Sequence, residues 1–265
     1  MKTAHIFTAT ALCGLVLSLA VGANAESTSG YATIVHIQGQ ARYSNGDNAW
    51  HPLLVGQTLG VGAVIQSGSN SVVDVALGDK ISQHIAQQPG RVAPATDANV
   101  SGLISYKTAV APNVIRMNGD TVLAVNKLVR SNTGVDVLAD TELDLRQGTI
   151  FGCVKKLSAA SQFVVKMPNA AAAVRGTTFN LSVTGAITVT DGSCVISVVV
   201  NGQTVTQVVG AGESFDPATG QVTKLTPEQI ALSKQTAVQV VTLVEGIISF
   251  TKDETIVYVS TTTGS

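Results

Sequence analysis

NAAAAVRGTTFNLSV, residues 169–183, sets an alanine run against a β-branched run, with one arginine and one glycine at the seam. A permanent cation between two apolar stretches needs a reason in a chain where only 12% of residues are charged. That share is about half the usual one for a globular domain. Two readings are open for Arg175. Its guanidinium can grip a ligand carboxylate or phosphate with two bonds. Alternatively it is an internal strut, tied to backbone carbonyls and to a carboxylate such as Asp136, Glu142 or Asp144. In the strut reading Gly176 supplies a turn, Thr177 and Thr178 resume the strand, and truncation to alanine is expected to cost much stability.

Outward from that seam the chain keeps one style. Runs such as TVLAVNKLVR, SQFVVKM and AITVTDGSCVISVVV are rich in β-branched residues and are punctuated by turn chemistry. Val72, Asp74 and Ala76 alternate with Val73, Val75 and Leu77, the period of a strand with two different faces. Asn118-Gly119-Asp120, Asp191-Gly192 and Asn201-Gly202 are residue pairs that tolerate positive φ and are expected as turns. Many short strands of this kind predict an all-β jelly-roll-like sandwich or roll, with a short β-solenoid as the alternative. Residues 80–113 lose the pattern and read as an insertion within a β domain of residues 26–225.

The two ends differ in character. Lys2, the apolar stretch Ile6–Val21 and then Ala23-Asn24-Ala25 have the order of a secretory signal with an A-x-A site, so residues 1–25 are expected to be removed ahead of Glu26. A retained membrane anchor and a lipoprotein signal at Cys13 are the alternatives. At the other end TPEQIALSKQTAVQVVTLVEG opens with Thr226, Pro227 and Gln229 in capping-box spacing and predicts a helix over 226–246. Ile230, Lys234, Ala237, Val238, Val241 and Val244 fall near one face, and Gly246 is expected to end it. Residues 247–265 read as a terminal strand or hairpin with a tail.

Composition also excludes classes. Removing residues 1–25 takes away only Lys2, leaving 15 basic and 17 acidic residues and a net charge of −2. Such a surface offers no field for nucleic acid. No later run reaches the roughly 18 apolar residues of a spanning helix, so no transmembrane segment is expected in the mature chain. Its expected location is the periplasm, the medium or the cell surface. His36, His51 and His84 lack metal-ligand spacing, and no nucleophile elbow or phosphate loop occurs. DVLADTELDL, residues 136–145, holds four carboxylates but not the EF-hand spacing, and a solvated strand edge explains it equally well. Trp50 and Tyr31 are too isolated for a sugar-stacking platform. No catalytic residue, metal or cofactor is expected. Cys153 and Cys194 remain, and in an oxidising compartment they are either a disulfide on neighbouring strands or two buried thiols.

The seam also resembles a known family. AAAVRGTTFNL is similar to the V-R-G-T-x-F segment of FecR-type domains. NAWHPLLVGQTLGVGAVIQSGSNSVVDVALGD resembles their early segment, and DGSCVISV and VVGAGESFDPATGQV their late Gly-Ser strand and Ala-Gly-Glu turn. The likeness runs in family order over about Tyr31–Leu225, apart from residues 80–113. It implies an extracytoplasmic all-β domain. Family members of the signalling type link an outer-membrane iron-siderophore receptor to a cytoplasmic sigma factor, through a membrane-spanning helix ahead of the domain. With a cleavable signal in that place, this chain is instead similar to free-standing exported FecR-domain proteins. The expected role is a non-enzymatic module that binds an envelope or surface protein or glycan. A self-assembling surface protein is the alternative, and an envelope polysaccharide hydrolase a more distant one.

Overall fold

The computed structural model describes residues 26–47, 49–79, 113–133, 137–156, 158–200 and 202–250. The expected signal segment, all but the last residue of the expected insertion, and residues 251–265 of the expected terminal hairpin lie outside them. Seventeen strands precede one helix. They are β1 (Glu26–Ser29), β2 (Tyr31–Gln38), β3 (Ala41–Ser44), β4 (His51–Pro52), β5 (Thr58–Leu59), β6 (Val64–Ser67), β7 (Val72–Gly78), β8 (Asn113–Met117) and β9 (Val122–Asn132). Then follow β10 (Val137–Gln147), β11 (Thr149–Cys153), β12 (Gln162–Met167), β13 (Ala170–Ser182), β14 (Ile187–Val200), β15 (Gln203–Gly210), β16 (Glu213–Asp216), β17 (Gln221–Lys224) and α1 (Pro227–Phe250).

Their pairing makes two layers that share two strands. Layer I runs β4-β3-β6-β9-β10-β12-β13-β14-β15, with β1 on the far half of β9. Layer II runs β5-β2-β7-β8-β11-β13-β14-β16-β17. Among the described pairs only β10–β12 is parallel. Following the pairs from β4 or from β5 never leads back to the start, so the sheet is open. It folds over on itself at β13 and β14. The expected all-β sandwich or roll with a C-terminal helix is therefore the architecture, and the mainly antiparallel pairing rules out the solenoid.

The fold-over is written in the side-chain parity. On β13, Ala172 and Val174 are buried, and then Thr177, Phe179 and Leu181. The buried set passes from even to odd positions across Arg175-Gly176, where the register with β14 slips. On β14 the switch is the reverse, from Ile187 and Val189 to Cys194, Ile196 and Val198, across Asp191-Gly192. One extra residue in each strand lets both halves point their apolar side chains inward while the strand turns from one layer to the other. Arg175-Gly176 and Asp191-Gly192 are thus not turns between short strands, as expected from sequence, but bends inside strands of 13 and 14 residues.

Between the layers lies one apolar core, with Phe163, Phe179, Phe215, Ile34, Ile65 and Leu143 among its largest buried side chains. A second, smaller cluster forms on the outer face of layer II. There Val35, Ala76, Val114 and Phe151 pack against Val240 and Ala237 of α1. Thr190 of β14 bonds to Ser233, fixing the helix near its start.

The capping box forms as the sequence predicts. Gln229 N–H donates to Thr226 Oγ1 at 3.3 Å, and Thr226 N–H donates to Gln229 Oε1 at 2.8 Å. Two details of the helix differ from expectation. Its inward residues include Ser233 and Val240, while Lys234 and Val238 face solvent. It also passes through Gly246 to Phe250. A glycine inside a helix costs about 1 kcal/mol and does not stop it unless the backbone turns left-handed there, and no proline follows in 247–250.

Candidate interaction surface

The corner places the residues that the sequence singles out. Gly176 has φ +62° and Gly192 φ +80°. A Cβ on Gly192 would run into the Gly176 carbonyl oxygen, and one on Gly176 would stand 3.0 Å from the Lys156 backbone. Thr177, wholly buried, is the strut of this corner. Its Oγ1 accepts the Arg175 N–H at 3.2 Å and donates to the Ser193 carbonyl at 2.7 Å, binding the two crossing strands together.

Arg175 itself is exposed. In the bend, positions 175 and 176 are the pair between the two buried sets, so the Arg175 side chain lies at the surface of the corner and not among the core side chains. Two of the three carboxylates considered as its partners stand beside other cations. Glu142 meets Lys166 at 2.8 Å and Asp144 meets Arg146 at 2.9 Å, and Asp136 lies outside the described residues. Exposed ion pairs contribute only about 0 to 1 kcal/mol. Arg175→Ala is accordingly expected to melt within about 2 °C of the wild type, read by circular dichroism. A large drop would restore the strut.

The arginine that holds a buried carboxylate is a different one. Asp74 of β7 has no exposed side-chain surface, and Arg116 of β8 grips it from the neighbouring strand, Nε to Oδ1 at 2.7 Å and Nη2 to Oδ2 at 2.9 Å. His36 of β2 flanks it from the other side, Nδ1 lying 3.2 Å from Oδ2 but without hydrogen-bond alignment. The bidentate bond to Asp74 holds the Arg116 guanidinium above its ordinary pKa. These residues form a row across the outer face of layer II, in the order His36, Asp74, Arg116, Phe151. Sequence reasoning places Asp74 on a strand but gives no sign of its partner, 42 residues away.

The cysteines do not meet. Cys153 pairs with Thr178 and Cys194 with Val174, so β13 lies between them. Cys194 also belongs to the inner core, whereas Cys153 packs in the outer cluster under α1. Both thiols are free, which corrects the expectation of neighbouring strands and leaves no geometry for a bridge. Burial pushes Cys153 up to about 11 and Cys194 up to about 12, leaving little thiolate at neutral pH. Both are expected to resist alkylation in the native protein and to take label fully in denaturant without reductant. Mass measurement showing unlabelled thiols under the second condition would contradict this.

His51 bonds to Asp47 at 2.7 Å, which lowers the Asp47 pKa, and stacks obliquely on Tyr43. Nearby, Arg42 lies over the Trp50 ring at 4.5 Å. His84 lies outside the described residues. Among those that are described, no group of three or more His, Cys, Asp or Glu could hold a metal, and no helix is long and apolar enough to cross a membrane.

What remains is surface. The outer face of layer II carries α1, whereas no described element packs on the outer face of layer I. At its β9–β10–β12 side that face is a lattice of charge: Lys127 with Asp140, and Glu142 with Lys166 and Asn126. These contacts hold Glu142 below and Lys127 above their ordinary pKa values. Toward the other side the charges give way to Val164, Ala173, Val195 and Val208, which stand in one row across β12 to β15.

The family model described as FecR protein matches residues 110–203, which is 94 of the 265 residues. The match runs from just ahead of β8 to the first residue of β15, so both crossing strands lie inside it together with Val164, Ala173 and Val195, while Val208 lies beyond it. No curated protein matches the chain. Among solved structures, the chain is similar to two crystal structures, each described as a candidate anti-sigma factor from Parabacteroides distasonis ATCC 8503. Both are 16% identical, with TM-scores of 0.35 and 0.33, and each alignment covers 47% of this chain. The aligned part is 56% and 57% of those chains.

Proposed function

We propose that this protein is an exported, non-enzymatic interaction module of the cell envelope or surface, periplasmic or secreted, whose partner is an envelope protein or glycan. The observation that carries the reading is the outer face of layer I, which no described element covers and which is built largely from the matched residues 110–203, beside a layer II whose outer face carries α1. Export rests on the order of charges, apolar residues and small residues in 1–25. The chain is expected in the periplasm or medium with Glu26 as its first residue, and N-terminal sequencing that starts at Met1 would contradict export.

Binding is tested by cross-linking in the native envelope followed by capture, comparing the wild type with Ala173→Glu. Position 173 is exposed at the centre of the bare face, so the substitution should leave the melting curve unchanged and remove the captured partner. Equal capture by both proteins would reject this face. Turnover of peptidoglycan or polysaccharide that is abolished by one carboxylate substitution would replace the module with a hydrolase.

A further inference from the structure

We propose that β15 is the self-association edge of the protein, pairing antiparallel with β15 of a second copy about a two-fold axis. An unpaired strand edge invites another strand, and folded proteins blunt it with charge, proline or short length. Among the described residues, β4 is two residues long and contains Pro52, and β5 is also two residues long. β1 has four residues and carries Glu26, and β17 has four and carries Lys224. β15 is the exception. Its eight residues, QTVTQVVG, contain no charge and no proline, and among the described residues they pair with β14 alone, in unbroken register.

The faces beside that edge are uncharged as well. Val195, Val199 and Val208 are exposed on the outer side of the β14–β15 ribbon, alongside Ser197 and Thr206, whose hydroxyls bond to each other at 2.9 Å. Val205 is 40% exposed on the opposite side, at the rim of the core. No charge on the strand selects a partner of opposite sign, and none repels an identical strand. A dyad on β15 sets each residue opposite a residue of the same face, so the outer valines of the two copies join into one band. The remaining edges are blunted, so the assembly closes as a dimer rather than growing into a fibre. A ladder of eight residues lies at the small end of specific interfaces, and a concentration-dependent dimer is therefore expected. This inference stands apart from the proposed envelope partner, which the central part of the face could bind with or without dimerisation.

The test is sedimentation equilibrium of the purified chain. The wild type should rise from monomer to twice the monomer mass with concentration. Thr206 is exposed near the centre of the strand, so Thr206→Lys should keep the wild-type melting curve while setting like charges against each other across the dyad, giving a monomer throughout. Thr206→Glu alone should behave in the same way. An equimolar mixture of the two variants should recover the dimer. A wild type that stays monomeric, a Thr206→Lys variant that still dimerises, or a mixture that stays monomeric would each overturn the proposal.

Discussion

Arg116→Ala is expected to lower stability by about 3 to 5 kcal/mol, because it leaves the Asp74 carboxylate buried with its bidentate partner gone. In a domain of this size that is a fall on the order of 10 °C in melting temperature. His36 cannot take over, since its Nδ1 is near Oδ2 but misaligned for a hydrogen bond. Arg116→Lys should recover only part of the loss, because an ammonium cannot occupy both carboxylate oxygens as the planar fork does. The double change Asp74→Val with Arg116→Leu separates the pair's net worth from the cost of breaking it. Replacing both charges with apolar groups on an already apolar face should return stability to near the wild-type value. Thermal melts of the four proteins decide the matter. An Arg116→Ala variant that melts with the wild type would show that the pair is not a stability element.

This pair also marks where sequence stops being legible. The strand character of VVDVALGD and NVIRMNG is plain from alternation, yet alternation cannot say that Asp74 and Arg116 stand side by side. Their pairing is a property of strand order, and residues 80–112 between them carry no periodic signal to suggest that β7 and β8 are neighbours. Local chemistry reads better. The Thr226–Gln229 box forms because its partners are three residues apart. The turns Gly68-Ser69-Asn70-Ser71 and Asn118-Gly119-Asp120-Thr121 share one construction, with Asn70 and Asp120 at φ 55° and a buried hydroxyl following each. Ser71 Oγ accepts the Gln40 N–H at 2.9 Å, and Thr121 Oγ1 the Thr149 N–H at 3.1 Å. Ser71 and Thr121 thus satisfy backbone groups buried beneath these turns.

Arg175 shows the opposite case, in which the sequence signal is real and marks a bend. A cation between apolar runs suggests a buried charge only if the strand keeps its parity through the seam. The alternation in AAAVRGTTFNL shifts by one position at Arg175-Gly176, and the same shift occurs around Asp191-Gly192. Both shifts can be read in the residues, but each looks like a strand end until the two are seen to pair. The seam is therefore a bend, and glycine rather than arginine is what it requires.

Gly192→Ala should accordingly be the more damaging of the glycine changes. Two costs are separable there. A left-handed backbone costs an L-residue about 1 to 2 kcal/mol wherever it occurs. At Gly192 the new methyl would also collide with the carbonyl oxygen of Gly176, which belongs to backbone and cannot rotate away. Relief requires the two bends to separate, and that strains the Thr177 bonds to Arg175 N–H and Ser193 O which hold them together. Gly202, in the β14–β15 hairpin, supplies the control: its φ is +79° and nothing lies within 4 Å of a Cβ built on it. Gly202→Ala should therefore show the conformational cost alone. Gly192→Ala should exceed it by more than about 2 kcal/mol, in the range typical of backbone strain and overpacking in a core. Chemical denaturation of the two variants measures the difference directly. If they unfold at the same denaturant concentration, the close passage of β13 and β14 does not control stability, and the fold-over of the two layers must be held elsewhere.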